Sequence, residues 1–272
     1  MSAWDDVAEP VHRAIAGWLG VGDGDVVVDV GSGAGGMTEV LADAVGAAGT
    51  VVAVDGDAVL LDVARRRAER PGRRVVTVHA DLEQQRLRDV LPHPAVDLVH
   101  AGAVVHHFDD ELRAIRELAA VVRPGGRVAL AEGGLGSRFL PADCGIGEPG
   151  LEQRLAAAQE AWFWSEVRPA SATVRTGRGW GSLLDEAGLV DVVARSFLLD
   201  IPPPLDDPTR QVVHHALAAL AERAGDHLED ADRETLGRLL DVEDPDGVMR
   251  RPDVYLLRAT TVHVGTIPTS RR

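Results

Sequence analysis

The stretch VVVDVGSGAGGMTEVLA, Val26 to Ala42, decides how this chain folds. Its opening Val26-Val27-Val28 is apolar and β-branched, as a buried strand of a parallel sheet requires. Gly31, Gly33, Gly35 and Gly36 then turn the chain, and Met37, Val40, Leu41 and Val45 recur at helical spacing. Strand, glycine turn and helix make a nucleotide-binding βα unit. Glycines let the backbone approach a ligand, and a helix start offers unpaired N–H groups. The spacing Gly31-x-Gly33-x-x-Gly36 also matches the dinucleotide fingerprint, so the turn alone leaves two cofactor classes open. Asp29 is the asymmetry. A carboxylate near the end of an apolar strand is costly unless it is paired or hydrogen-bonded. A cationic ligand just beyond the strand end supplies one partner, and a purely structural cap on the turn is the alternative.

Val28-Asp29-Val30-Gly31-Ser32-Gly33-Ala34-Gly35 resembles the first motif of class I S-adenosylmethionine-dependent methyltransferases, whose cofactor carries an ammonium and a sulfonium and no phosphate. The resemblance implies that Asp29, Gly31, Ser32, Gly33 and Gly35 bind the cofactor. A second strand, Val51 to Val54, ends in Asp55. An acid at that tip accepts bonds from ribose hydroxyls in a nicotinamide or an adenosylmethionine site alike. Gly56 follows, where the family usually places a bulkier apolar residue against the adenine. Val75 to His79 reads as the third strand, with Ala80-Asp81-Leu82 at its tip. Asp81 resembles the family residue that accepts a bond from the adenine amino group, and a loop cap is its plain alternative. The fourth strand, Pro94 to Gly102, contributes Ala101 to the cofactor set. It runs into Ala103-Val104-Val105-His106-His107-Phe108, similar to the small-molecule branch that includes quinone-biosynthesis methyltransferases. Leu112, Ile115, Leu118 and Val122 stripe a helix capped by Asp109 or Asp110. Arg123-Pro124-Gly125-Gly126 closes it, and Val128 to Glu132 is the fifth strand, a joint common in the same family.

Composition removes other classes. The chain has 272 residues, 45% hydrophobic and 26% charged, which suits a globular protein with a real core. No apolar run approaches the roughly 20 residues of a membrane span. The acidic N-terminus lacks a signal-peptide pattern, so a cytoplasmic protein is expected. The net charge of −15 disfavours a nucleic-acid partner, although Arg65-Arg66-Arg67 with Arg70, Arg73 and Arg74 forms a local basic patch. The lone Cys144 excludes an intramolecular disulfide and a cysteine zinc cluster. The absence of lysine excludes a P-loop, a pyridoxal Schiff base and kinase chemistry. With Tyr255 the single tyrosine, no Tyr-x-x-x-Lys pair exists, which weakens the alternative of a Rossmann NAD(P)-dependent oxidoreductase.

Alternating strands and helices call for a parallel sheet covered on both faces, with ligands at the strands' C-terminal ends. The family resemblance implies a Rossmann-like α/β sheet of seven strands, six parallel and the last antiparallel, with a helical lid. The segments expected are 1–132, a cofactor-binding core with a leading helix over about 2–20; 133–176, a lid insertion; 177–200, a core helix and strand six; 201–252, a second helical lid insertion; and 253–272, the last strand and tail. Trp162, Phe163 and Trp164 are expected to line the substrate pocket, with core anchoring or a homodimer contact as the other uses. Tyr255, near the start of the last strand, joins the substrate set.

The implied chemistry is an in-line transfer of methyl from S-adenosylmethionine to the oxygen, nitrogen or carbon of a small-molecule acceptor. A non-catalytic adenosylmethionine-binding subunit is the third reading. Alignment is the protein's main contribution. His106 and His107 are the candidate bases, because histidine titrates near neutrality. Glu132 is a third candidate, for orienting substrate. Adjacent histidines on a turn do not make a metal site without further ligands, so none is expected.

Overall fold

The computed structural model describes residues 2–93, 95–169 and 173–269. The elements are α1 (Ser2–Leu19), β1 (Val26–Val30), α2 (Gly36–Val45), β2 (Thr50–Asp55), α3 (Ala58–Ala68), β3 (Val75–His79), α4 (Leu87–Val90), β4 (Val96–Gly102), α5 (Glu111–Ala119), β5 (Val122–Arg138), α6 (Leu151–Trp162), α7 (Trp180–Glu186), β6 (Val190–Ile201), α8 (Asp207–Ala224), α9 (Asp230–Leu240) and β7 (Leu256–Thr266). No described helix is long and apolar enough to cross a membrane.

The seven strands form one sheet in the order β3-β2-β1-β4-β5-β7-β6, six parallel and the last antiparallel. The chain steps outward from β1 to β3 and then returns to place β4 against β1. That reversal is the topological switch point, where open α/β sheets leave a crevice for ligands. Val28 is in register with Val52 and with Val99, and Asp29 with Ala53 and His100.

Alternation along the strands sorts the core into two layers. Val28, Val30, Val99, Ala101, Val128 and Leu130 pack with Ile115 and Leu118 of α5 and Leu183 and Leu184 of α7. Val27, Val51, Leu98 and Ala129 pack on the other face with Ile15 and Leu19 of α1 and Leu41 and Val45 of α2. Asp29 and His100 share parity with Val27 and Leu98, so both point into the α1–α2 layer.

The chain divides into two compact units. The first comprises Met1–Gly134, Val174–Phe197 and Thr260–Arg272, and the second comprises Leu135–Thr173 and Leu198–Ala259. Within the second unit, α6, α8 and α9 bury Leu155, Leu217, Leu236 and Leu239. Arg210 is 9% exposed there and donates to the carbonyls of Leu205, Val248 and Arg251. Arg154 grips Asp232 with two bonds of 2.7 and 2.8 Å.

Two boundaries differ from the sequence expectation. β5 absorbs the Arg-Pro-Gly-Gly joint and continues to Arg138. The joint is an irregularity in the β4–β5 pairing, between Val96 and Leu98. A Cβ on Gly126 would lie 2.6 Å from Val122 Cγ1, so the close approach explains that glycine. The last strand begins at Leu256, leaving Tyr255 just outside it. At the helix after β4, the cap is Asp110, which accepts from the Arg113 N–H at 2.9 Å.

Candidate functional site

The glycine turn is tied to the tip of β2. The N–H groups of Gly31 and Ser32 both donate to the Val54 carbonyl, at 2.8 and 3.2 Å. Asp55 Oδ2 accepts from the Gly33 N–H at 2.8 Å, and its Oδ1 from the Asp57 N–H at 2.9 Å. Each oxygen keeps a second lone pair. Gly31 has φ +66 and a Cβ there would meet Val104 Cβ at 2.8 Å; Gly35 has φ +87 and would meet Ala64 Cα at 2.6 Å. Both positions demand glycine on conformation and on space. Gly33 has nothing within 4 Å of its virtual Cβ, so the turn opens on that side. Ser32 is buried, and its Oγ has no hydrogen-bond partner. An orphaned hydroxyl beside an open glycine turn fits a bound ligand that supplies the missing bond.

Asp29 is 2% exposed and its partners lie inside the fold. Oδ2 accepts from Thr38 Oγ1 at 2.6 Å, and Oδ1 lies 2.8 Å from His100 Nδ1. The desolvation cost that pointed to a cationic ligand is offset by these two side chains. Neither was expected from the sequence. The available signal was His100 within the apolar run Leu98 to Gly102 of β4, on the strand neighbouring that of the lone acid. His100 Nε2 is buried and without a partner.

At the tip of β3, Asp81 caps its own loop: Oδ1 accepts from the Glu83 N–H at 3.0 Å and Oδ2 from Gln84 Nε2 at 2.7 Å. Ala80 is buried and Leu82 half-buried against the core, while Asp81 is exposed. Gly56 is exposed, and a Cβ on it would find only the Ala80 carbonyl, at 3.9 Å. Its carbonyl accepts from or faces His79 Nε2 at 2.9 Å. Ala101 is fully buried in β4.

Glu132, inside β5, and His106, on the turn that follows β4, form a pair. Glu132 is 2% exposed. Its Oε1 accepts from the N–H groups of Val104 and Val105 at 3.0 and 2.7 Å, and its Oε2 lies 2.7 Å from His106 Nδ1. The carboxylate thus holds both the turn after β4 and the imidazole on it. Ala103 enters this turn with φ +52, a strained conformation for a residue with a Cβ. His107 is exposed, with its ring 4.2 Å from that of His106. Burial holds His263 of β7 below its ordinary range, opposed by the bond its ring makes to the Glu132 backbone carbonyl.

The remaining expected residues lie in the second unit. Trp162 sits under the Arg223 guanidinium at 5.6 Å. Trp164 is 44% exposed and donates to Glu160 Oε1 at 2.7 Å. Phe163 meets Trp164 edge to face. Tyr255 donates its hydroxyl to the Leu140 carbonyl at 2.9 Å, and burial raises its pKa. Among the described residues no group of three or more His, Cys, Asp or Glu side chains is placed to hold a metal ion.

Comparison with known proteins agrees with this fold. Residues 28–130 match the family model described as a methyltransferase domain. A 27-O-demethylrifamycin SV methyltransferase from Amycolatopsis mediterranei is 32% identical over 143 residues, 47% of this chain and 48% of that protein. A ubiquinone/menaquinone biosynthesis C-methyltransferase from Hahella chejuensis is 32% identical over 117 residues, 42% of this chain and 45% of that one. The chain thus spans about half the length of these curated relatives. Among solved structures, a cyclopropane-fatty-acyl-phospholipid synthase-like protein from Lactobacillus casei aligns with a TM-score of 0.56 at 17% identity, covering 97% of this chain and 92% of that one. That likeness shows the fold. The strand order, the glycine turn and the family match together identify residues 28–130 as a methyltransferase domain of the class I S-adenosylmethionine-dependent family.

Proposed function

We propose that this chain transfers a methyl group from S-adenosylmethionine to a small-molecule acceptor whose nucleophile is formed by loss of a proton. The observation that carries the second clause is the 2.7 Å contact between His106 Nδ1 and Glu132 Oε2. When bound, the cofactor supplies a methyl group activated by the sulfonium, and its leaving group is neutral. No acid is therefore needed, and a base is needed only where the acceptor arrives protonated. With Nδ1–H donated to Glu132, the neutral imidazole carries its lone pair on Nε2, the atom a general base uses. Glu132 fixes tautomer and ring plane, as the acid of a Ser-His-Asp triad does for its histidine. This makes Glu132 a positioning residue rather than one that touches acceptor.

Gly31, Ser32, Gly33 and Gly35 would cradle the cofactor, Asp55 would take ribose hydroxyls with its remaining lone pairs, and Ala80, Asp81, Leu82 and Ala101 would border the adenine. Gly56 leaves that border open. The relatives' names, one a 27-O-demethylrifamycin SV methyltransferase and one a C-methyltransferase of quinone biosynthesis, support an organic acceptor that reacts at oxygen or carbon. The net charge of −15 supports a small molecule over a nucleic acid. Trp162, Trp164 and Tyr255 remain the proposed acceptor contacts; a raised KM for acceptor in Trp164→Ala, with the melt unchanged, supports this, and an unchanged KM refutes it.

The test has two stages. A melting scan with S-adenosylmethionine, S-adenosylhomocysteine and NAD should raise Tm with the first two alone, since a ligand bound only by the native state stabilises it. A panel of phenols, quinols, alcohols and amines, read by mass spectrometry for methylated product, should give turnover with a hydroxylated member. Stabilisation by NAD points to an oxidoreductase. Cofactor binding without transfer to any member points to a non-catalytic subunit.

A further inference from the structure

Asp29, the carboxylate expected to meet a cationic ligand, has an oxygen committed to each of Thr38 and His100 and is sealed from solvent. A cationic amino-acid group at the glycine turn therefore needs another anion. Asp5 is in place to be that anion. It lies in the first turn of α1, and a Cβ on Gly36 would fall 2.6 Å from its Cβ, Cγ and Oδ1. Gly36 is the first residue of α2, and Gly35 before it caps the helix with no side chain. The orphaned hydroxyl of buried Ser32 belongs to the same turn and independently marks it as a place where a ligand completes the bonding.

No described residue donates a hydrogen bond to the Asp5 carboxyl, although two cationic groups, Arg67 and the chain's amino terminus, act on it. Arg67 of α3 faces it, but that guanidinium is already bonded to Glu39 of α2 at 2.7 Å and to Asp6. Asp6 of α1 and Asp29 of β1 repel it. Burial outweighs the attraction of Arg67 and of the chain's amino terminus and lifts Asp5 to about 6. An incoming cation would reverse that balance.

We propose that Asp5 binds the α-ammonium of the cofactor's amino-acid end, giving α1 a direct part in cofactor recognition at the start of α2. The inference rests on the S-adenosylmethionine assignment. Asp5 reaches the turn from the α1–α2 layer, whereas Asp55 holds it from β2, so the two acids address different ends of one ligand.

Calorimetric titration of the full chain and of Asp5→Asn and Asp5→Ala with three probes tests this. S-adenosylmethionine and S-adenosylhomocysteine both carry the ammonium, and methylthioadenosine lacks the amino-acid end. Both variants should bind the first two about tenfold or more weakly, as loss of a charge-assisted bond entails. Methylthioadenosine should bind them as it binds the unaltered chain. Without ligand, both should melt at or above the parent, since each removes a half-buried carboxylate that accepts no hydrogen bond from a described residue. Unchanged affinity for all three probes overturns the proposal. So does an equal loss for all three, which marks a damaged turn, or a loss for S-adenosylmethionine alone, which places Asp5 at the sulfonium. Failure of the parent chain to bind any probe would instead refute the cofactor assignment itself.

Discussion

Replacing Glu132 by Gln probes the base and the turn that carries it together. Glu132 is 2% exposed and accepts three hydrogen bonds, from the Val104 and Val105 N–H groups at Oε1 and from His106 at Oε2. Gln can keep its oxygen on the two backbone donors. Its amide nitrogen then faces Nδ1 and must donate, so the imidazole is driven to carry its proton on Nε2. The lone pair is turned away from the acceptor. Loss of the charged bond costs about 1.5–3 kcal/mol, and weakening two backbone bonds from charged to neutral acceptor adds on the order of 1 kcal/mol. A total near 3 kcal/mol lowers Tm by about 5 °C for a chain of this size. Turnover should fall about 10²-fold or more, the usual contribution of a positioned base. Affinity for S-adenosylmethionine, measured well below the melt, should stay within about twofold, because Glu132 itself makes no bond to the turn at Gly31–Gly35 and Gln keeps in place the N–H of Val104, whose side chain packs beside Gly31. A lowered Tm with unchanged turnover would refute the base role and leave Glu132 an architectural anchor. An unchanged Tm would refute the hydrogen-bond accounting.

Three further outcomes follow from single contacts. At saturating cofactor, His106→Ala should lose turnover about 10²-fold or more while His107→Ala, which lacks the Glu132 contact, should lose far less; equal losses would deny His106 its role. Gly31→Ala should destabilise by about 2–4 kcal/mol in urea, from its φ of +66 and the 2.8 Å clash with Val104, whereas Gly24→Ala, at φ +88 with nothing within 4 Å, should cost only about 1 kcal/mol. Asp5 binds its proton more tightly folded than unfolded, its pKa rising from 3.8 to about 6, so stability is fuller at pH 4 and drops as pH rises through 6. The full shift is worth about 3 kcal/mol and partial exposure cuts it to the order of 1 kcal/mol; denaturant melts across this window should show the drop in the difference between the parent's stability and that of Asp5→Asn, and a difference that is flat with pH refutes it.

What could be read from the sequence follows the range of the physics involved. β1 to β4 and the helices α1, α2 and α5 were legible, and the short α4 was not, because buried parallel strands are runs of β-branched residues and long covering helices carry apolar stripes, both local properties. The length of β5 was not. Gly133, Gly134 and Gly136 carry no strand signal, and the ladder that extends to Arg138 depends on pairing distant in sequence. His106, His107 and Glu132 stood out as separate polar residues at strand ends. Their partnership could not be read, because which of two adjacent imidazoles meets Glu132 depends on the turn from Gly102 to Val105, where Ala103 takes a positive φ.

Asp29 shows how a sound energetic argument can have two solutions. Burying a carboxylate demands partners, and that demand holds here. It says nothing of which side they come from. The parity of β1 settles the direction, since Asp29 follows Val27 into the layer shared with α1 and α2. In that layer Thr38 is nine residues on, in the first turn of the helix that the glycine turn starts, and His100 is the register partner on β4. The acid therefore ties β1, β4 and α2 together beneath the turn and fixes its floor. Glu39, the acid in the first turn of α2, is committed to Arg67, Arg70 and Arg73, so α1 is the element on that face that offers a further anion. Motif residues can thus be indispensable to a site by shaping it, while the contact their charge advertises is made by a residue that no motif contains.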